Sequence, residues 1–215
     1  MITITAFRNV PAQARGFVRD LRPRWALAEL GLPYQVRLLA QGEQDKPEYR
    51  AIQPFGQVPV LEEDGLVLFE SGAIVLHIAE RSETLLPREP GARARATQWV
   101  FAALNSIEPF TQQLAVLEFF YAGEEWAKLR KPGLTEFVQR RLHALFNALG
   151  DKPYLDGGQF TVGDLVMVTV LRNLPQSGGL VARDPRLSAY VERCTSRPAF
   201  GQALHAQLGD FKVAA

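Results

Sequence analysis

All strand-type alternation in this chain of 215 residues lies before Phe69, and the order in which it appears leaves few folds open. Ile2, Ile4 and Ala6 alternate with Thr3, Thr5 and Phe7, which reads as a first strand. Phe17, Leu21, Trp25 and Ala28 then recur at near-helical spacing, and Gly31 stands where a helix C-cap would sit. Pro23 either kinks this helix or marks its true first turn. Tyr34 to Leu39 alternates as a second strand, and a helix between the two strands makes them parallel. Val58 to Glu62 and Leu66 to Leu68 flank Asp64-Gly65, a hairpin signal. A helix from about Ser71 to Arg81 follows, with Ile74 and Ile78 four apart.

That βαβ–ββα order is the order of a thioredoxin-like domain, expected over residues 1–82. The segment 83–91 carries Pro87, Pro90 and Gly91 and reads as a linker. Beyond it the periodicity is helical over Ala92–Ala122 and Pro132–Leu149. Shorter helical segments cover Val162–Leu174, Pro185–Ser196 and Ala199–Gln207. The expected fold is therefore an α/β thioredoxin-like domain followed by an all-α helical-bundle domain over 92–215, and the length suits two domains. A net charge of +1 argues against nucleic acid or an acidic surface as partner. The single cysteine, Cys194, cannot close an internal disulfide, and with three scattered histidines it does not suggest a metal site. No apolar run approaches the roughly 20 residues that span a bilayer, and the first residues have no basic leader. A reducing cytoplasm is the expected compartment.

Three short stretches carry the functional reading. In Gln53-Pro54-Phe55-Gly56-Gln57-Val58-Pro59-Val60-Leu61 a proline sits between strand-type residues. It either begins a strand or follows a cis peptide at Val58-Pro59. The cis form would leave the Val58 main chain free to pair with a peptide-like ligand. In Phe69-Glu70-Ser71-Gly72, Ser71 stands where a helix begins. It is either a plain N-cap or part of an anion site made with the helix N–H groups. Glu70 beside it suits a cationic amine, so the pair fits an α-amino acid zwitterion. In Phe160-Thr161-Val162-Gly163-Asp164, Thr161 with Asp164 resembles a capping box, a structural motif.

Taken in this order, these stretches resemble the soluble glutathione transferases. The resemblance also draws on Trp25-Ala26-Leu27-Ala28-Glu29-Leu30-Gly31-Leu32-Pro33-Tyr34 and Ser196-Arg197-Pro198-Ala199-Phe200, and it covers the whole chain. It implies that Val58, before a cis Pro59, pairs with the cysteinyl backbone of glutathione. Glu70 and Ser71 would hold the γ-glutamyl end, and Gln57 or Lys46 would meet the glycyl carboxylate. It further implies a homodimer and a small hydrophobic electrophile, or a hydroperoxide, as second substrate. Of the aromatics Trp99, Phe101, Phe110, Phe119, Phe120 and Tyr121, most are expected in the core and one or two in an apolar pocket.

The chain departs from the family at the thiol-activating position. The family places a Tyr, Ser or Cys just after the first strand, whereas here the only hydroxyls before Leu32 are Thr3 and Thr5, inside the strand. The loop offers Arg8, Asn9, Gln13 and Arg15 instead. Lowering a thiol pKa from about 8.5 to about 6.5 takes roughly 2.7 kcal/mol. A neutral hydrogen bond supplies roughly 0.5–1.5 kcal/mol and one from a charged donor about 1.5–3 kcal/mol. Arg15 is therefore the first expected activator and Asn9 the second. The alternative is a glutathione-binding protein that has lost its catalysis. With no cysteine near the first strand, thiol–disulfide chemistry is disfavoured.

Overall fold

The computed structural model describes residues 1–174 and 179–213. The chain divides into two compact units, Met1–Glu83 with Ser196–Ala215, and Thr84–Thr195. The first unit is built on a four-stranded sheet of order β2-β1-β3-β4, from β1 (Ile2–Phe7), β2 (Tyr34–Leu39), β3 (Val60–Glu63) and β4 (Leu66–Phe69). β1 and β2 run parallel, as a helical crossover requires, and β3 is antiparallel to both β1 and β4. Asp64 and Gly65 both take positive φ, 49° and 87°, the backbone that a two-residue hairpin turn needs.

Helix α1 (Leu21–Glu29) begins later than the periodicity from Phe17 suggested, which settles the Pro23 question. The proline stands in the first turn, where its missing N–H has no intrahelical partner to lose. Gly31 follows the helix with φ of 62°, as a C-terminal stop. A short helix, α2 (Pro47–Arg50), carries no periodic signal of its own. Helix α3 (Ser71–Ala79) buries Ile74, Val75 and Ile78.

The second unit is helical. Glu89 accepts hydrogen bonds from the N–H groups of Gly91 and Ala92 and so opens α4 (Pro90–Phe101), which takes in the last two residues read as linker. A π-helical stretch over Ala102–Ile107 joins it to α5 (Glu108–Phe120). Helix α6 (Glu125–Leu149) starts seven residues before Pro132, which it contains. Helix α7 (Val162–Arg172) is buried along nearly its whole length, and α8 (Pro185–Thr195) places Leu187, Tyr190 and Cys194 in the core. The capping box at Thr161 forms as its sequence indicated. Asp164 accepts from the N–H groups of Thr161 and Leu155 and from the Tyr190 hydroxyl, each at 2.9 Å. Burial pushes its carboxyl up, against the pull of these donors.

Two expectations change here. The last helix, α9 (Pro198–Val213), was assigned to the helical domain but clusters with the first unit. Trp25 meets Phe200 edge-to-face at 4.8 Å, and Arg197 grips both oxygens of Glu29 at 2.7 and 2.6 Å. The buried Gln207 amide reaches Asp20 at 2.8 Å, while Arg24 joins Asp20 at 2.8 Å to Asp210 at 2.5 Å. These contacts link residues far apart in sequence, which local periodicity does not register. The second change concerns the six aromatics read mostly as core. None of them is buried, and Phe101 and Phe120 are more than half exposed.

Candidate functional site

The sheet register brings the sequence motifs to one end of the first unit. Ile4 faces Leu61 across β1 and β3, so continuing that register sets the exit of β1 at Phe7 opposite Val58. Val60 pairs with Phe69 at the end of β3 and β4, so Pro59 and Glu70, the next residue outward on each strand, leave the sheet at the same end. The β1 exit, the Val58-Pro59 peptide and the start of α3 therefore lie at one end of the sheet.

The Val58-Pro59 peptide is cis, one of the two alternatives the sequence left open. Val58 is buried with Leu39, Tyr49 and Val60, and Phe7, Val18 and Ile52 pack against this cluster. The segment before it is tied down at several points. The Tyr49 hydroxyl donates to the Gln57 carbonyl at 2.6 Å, and burial pushes that phenol up to about 12. Gly56, with φ of 62°, lies so close to the Arg50 guanidinium that a Cβ would sit 2.7 Å from its central carbon. Arg50 itself donates to the Pro54 carbonyl at 2.9 Å. The Gln57 side chain is exposed, and Lys46, at the start of α2, lies 3.4 Å from Glu43.

Glu70 and Ser71 divide their roles differently from a plain cap. Glu70 is the N-cap residue of α3, yet its side chain caps nothing and its backbone is held at φ of 69° and ψ of 113°. A non-glycine residue there is strained by about 1–3 kcal/mol, and such strain gathers at functional positions. Ser71 is the first residue of the helix proper and is 5% exposed. Its hydroxyl oxygen accepts a hydrogen bond from Arg22 at 3.0 Å. Arg22, only 2% exposed, was not anticipated. The one signal available was its place on the first helix next to Pro23, and charged residues on a helix are ordinarily read as solvent-facing.

In the loop after β1, Arg15 and Asn9 come together, with the guanidinium 3.5 Å from the Asn9 carbonyl oxygen. Arg15 also lies over the ring of Phe211 in α9, 5.7 Å from its centroid, and among the described residues it meets no carboxylate. Gly16 follows with φ of 81°, and a Cβ there would press on Leu204 at 3.2 Å. Cys194 is buried in the other unit, which suits packing. Among the described residues no cluster of three or more His, Cys, Asp or Glu side chains suits a metal ion, and no helix is long and apolar enough to cross a membrane.

Cavities line the helical unit as well. One, of about 470 Å³, is lined by Pro109, Val116, Leu117, Trp126 and Arg130 among others. The second, of about 200 Å³, is lined by Trp99, Ile107, Arg141 and Met167 among others. Trp99 is thus the one member of the expected aromatic set that lines a cavity described here, and Trp126 was missed.

Residues 13–80 match the family described as glutathione S-transferase, N-terminal domain, and residues 109–198 match glutathione S-transferase, C-terminal domain. The chain is 32% identical over 180 residues to disulfide-bond oxidoreductase YfcG of Escherichia coli, covering 80% of this chain and 83% of the relative. It is also 32% identical over 195 residues to glutathione S-transferase Z1 of Arabidopsis thaliana, covering 85% of each. Among solved structures, it is similar to a glutathione transferase family member from Pseudomonas fluorescens with two glutathione bound. That likeness has a TM-score of 0.82 and 26% identity, and covers 94% of this chain and 92% of the other.

Proposed function

We infer that this chain, which belongs to the glutathione S-transferase superfamily, binds glutathione in its first unit and uses the bound thiolate as a nucleophile. The observation that carries the reading is the meeting of the β1 exit, Val58-Pro59 and Glu70-Ser71 at one end of the sheet. The Val58 main chain pairs with the cysteinyl residue as a short added strand. The Glu70 carboxylate takes the ligand's amine. The Ser71 hydroxyl and the first N–H groups of α3 take the neighbouring carboxylate. Gln57 or Lys46 meets the glycyl carboxylate. This arrangement directs the cysteinyl sulfur toward the loop after β1.

Arg15, backed by Asn9, stabilises the thiolate there. Its charge is unpaired within the described fold, and a charged donor supplies about 1.5–3 kcal/mol, close to what a useful thiol shift requires. The thiolate then attacks an electrophilic carbon and displaces its leaving group. The other route is attack on the outer oxygen of a hydroperoxide, which forms an S–O bond, breaks the O–O bond, leaves glutathione sulfenic acid and releases the alkoxide to be protonated to the alcohol. The Escherichia coli relative's name favours a second chemistry on the same thiolate, exchange with a disulfide, in which glutathione sulfur attacks and the other thiol leaves. No protein cysteine is needed for that step, so the burial of Cys194 does not oppose it. A homodimer is proposed with the family, and sedimentation at about twice the 23.9 kDa chain mass would bear it out.

Calorimetry and a thiol titration test this reading. Ser71→Ala should weaken glutathione binding by about 1–3 kcal/mol. Arg15→Ala should raise the bound thiol's pKa, followed by thiolate absorbance, while affinity at low pH barely changes. An unshifted thiol pKa in the wild type, Arg15→Ala and Asn9→Ala alike would overturn the catalytic reading in favour of a glutathione-binding protein.

A further inference from the structure

We propose that Arg22 is a positioning residue of the glutathione site, acting through Ser71. The guanidinium has no acceptor, so in the 3.0 Å contact between Arg22 and Ser71 the hydroxyl oxygen must accept. A serine hydroxyl has a single proton. Once its oxygen is engaged by a buried cation, that proton is left to be donated elsewhere. A hydroxyl in a first helical turn can otherwise turn back onto nearby main-chain groups. Arg22 occupies one acceptor position of the oxygen and polarises the O–H bond, which makes Ser71 a stronger donor to an anion. The ligand carboxylate expected at the start of α3 is such an anion.

The surrounding backbone supports the pairing from both sides. Arg22 projects from the first turn of α1, where Pro23 beside it fixes the main chain. Ser71 follows Glu70, whose positive φ sets the direction in which the chain enters α3. Both partners are buried, so the bond is shielded from competing water. Arg22 thus makes no contact with the ligand itself and is distinct from the groups that do.

This inference rests on the glutathione reading, and a double-mutant cycle separates the two. Glutathione affinity is measured by calorimetry for the wild type, Ser71→Ala, Arg22→Met and the double variant. Each single change should weaken binding by about tenfold or more, the size of a lost charge-assisted hydrogen bond. The double variant should bind within about twofold of Ser71→Ala, because an effect transmitted by Ser71 disappears with it. A competitor whose γ-glutamyl α-carboxylate is converted to an amide gives a second readout. Arg22→Met should narrow the preference for glutathione over that competitor, which a general loosening of the fold would leave in place. If Arg22→Met does not yield folded protein, Arg22→Lys replaces it in the cycle. Lysine donates from a single point, so a loss of a few-fold is expected with Ser71 present and none without it. Losses that multiply in the double variant, or an unchanged preference between the two ligands, would overturn the role of Arg22. Failure of the wild type to bind glutathione would overturn the underlying reading and this inference with it.

Discussion

Helix α7 begins on Thr161, and helix α3 begins on Glu70-Ser71; both starts place a hydroxyl and a carboxylate within one turn. At α7 the two groups face inward. The Thr161 oxygen takes the Gly163 N–H, and Asp164 takes the Thr161 N–H together with Leu155 and Tyr190 from outside the turn. The free donors of the helix start are thereby absorbed by the protein itself. At α3 the carboxylate is exposed and the Glu70 side chain makes no cap. Among the described residues the Ser71 hydroxyl is engaged only as an acceptor, in the contact with Arg22. The first arrangement consolidates a core; the second turns the Glu70 carboxylate outward, toward the zwitterion proposed to bind there. The chemistry of a helix start follows from which way its polar groups are turned as much as from which residues supply them.

The largest expected effect that sharpens this contrast is at Asp164. Asp164→Ala leaves the buried Thr161 and Leu155 N–H groups and the Tyr190 hydroxyl without their acceptor. A loss of about 3–5 kcal/mol in unfolding free energy is expected, near the upper end for a point change. A urea titration measures it. A shift in midpoint equivalent to less than about 1 kcal/mol would mean that α7 does not depend on its closed network.

A smaller loss is expected at Thr161. Thr161→Ala removes one cap oxygen while Asp164 keeps its other donors, so about 1 kcal/mol is expected, the usual cost of a lost cap. Thr161→Ser should recover most of it. Equal losses at Thr161 and Asp164 in the same titration would show that the two act as one inseparable unit, contrary to the separate roles assigned here.

The same contrast shows what the sequence could disclose. Thr161 and Asp164 are three residues apart and their bonds are local, so the motif alone defined the cap. The hairpin at Asp64-Gly65 was legible for the same reason, and the parallel pair β1–β2 followed from the helix that joins the two strands. The setting of Ser71 was not legible, because the Arg22 contact spans 49 positions and buries a charge that pattern reading turns toward water. The attachment of α9 to the first unit escaped for a related reason. Its anchors, Phe200 on Trp25, Arg197 on Glu29 and Gln207 on Asp20, span the length of the chain, and each looks like an ordinary helix residue locally. Phe120 and Tyr121 depart from expectation in the opposite direction. They stand exposed at the end of α5, where aromatic content alone suggested a core.

The smallest stability effect is expected at Glu70, and its sign sets it apart from the other two. A residue with a side chain at φ of 69° and ψ of 113° is strained, whereas glycine adopts positive φ without the Cβ conflict. Among the described residues the Glu70 side chain makes no hydrogen bond or ion pair, so removing it forfeits no interaction within the fold. The main-chain bond from the Ile74 N–H to the Glu70 carbonyl survives the change. Against the relief of strain stands the larger conformational entropy of glycine in the unfolded chain, about 0.5–1 kcal/mol. Glu70→Gly should therefore stabilise the protein by up to about 1 kcal/mol. Glutathione affinity should fall in the same variant, because the carboxylate proposed to meet the ligand's amine is gone. Glu70→Gln keeps the strain and removes the charge, so it should lower affinity with little change in stability. Denaturation and calorimetry on the two variants separate the backbone from the carboxylate. A Glu70→Gly protein that is both less stable and equally tight for glutathione would show that this residue serves the fold, as Asp164 does, and the distinction between the two helix starts would fail.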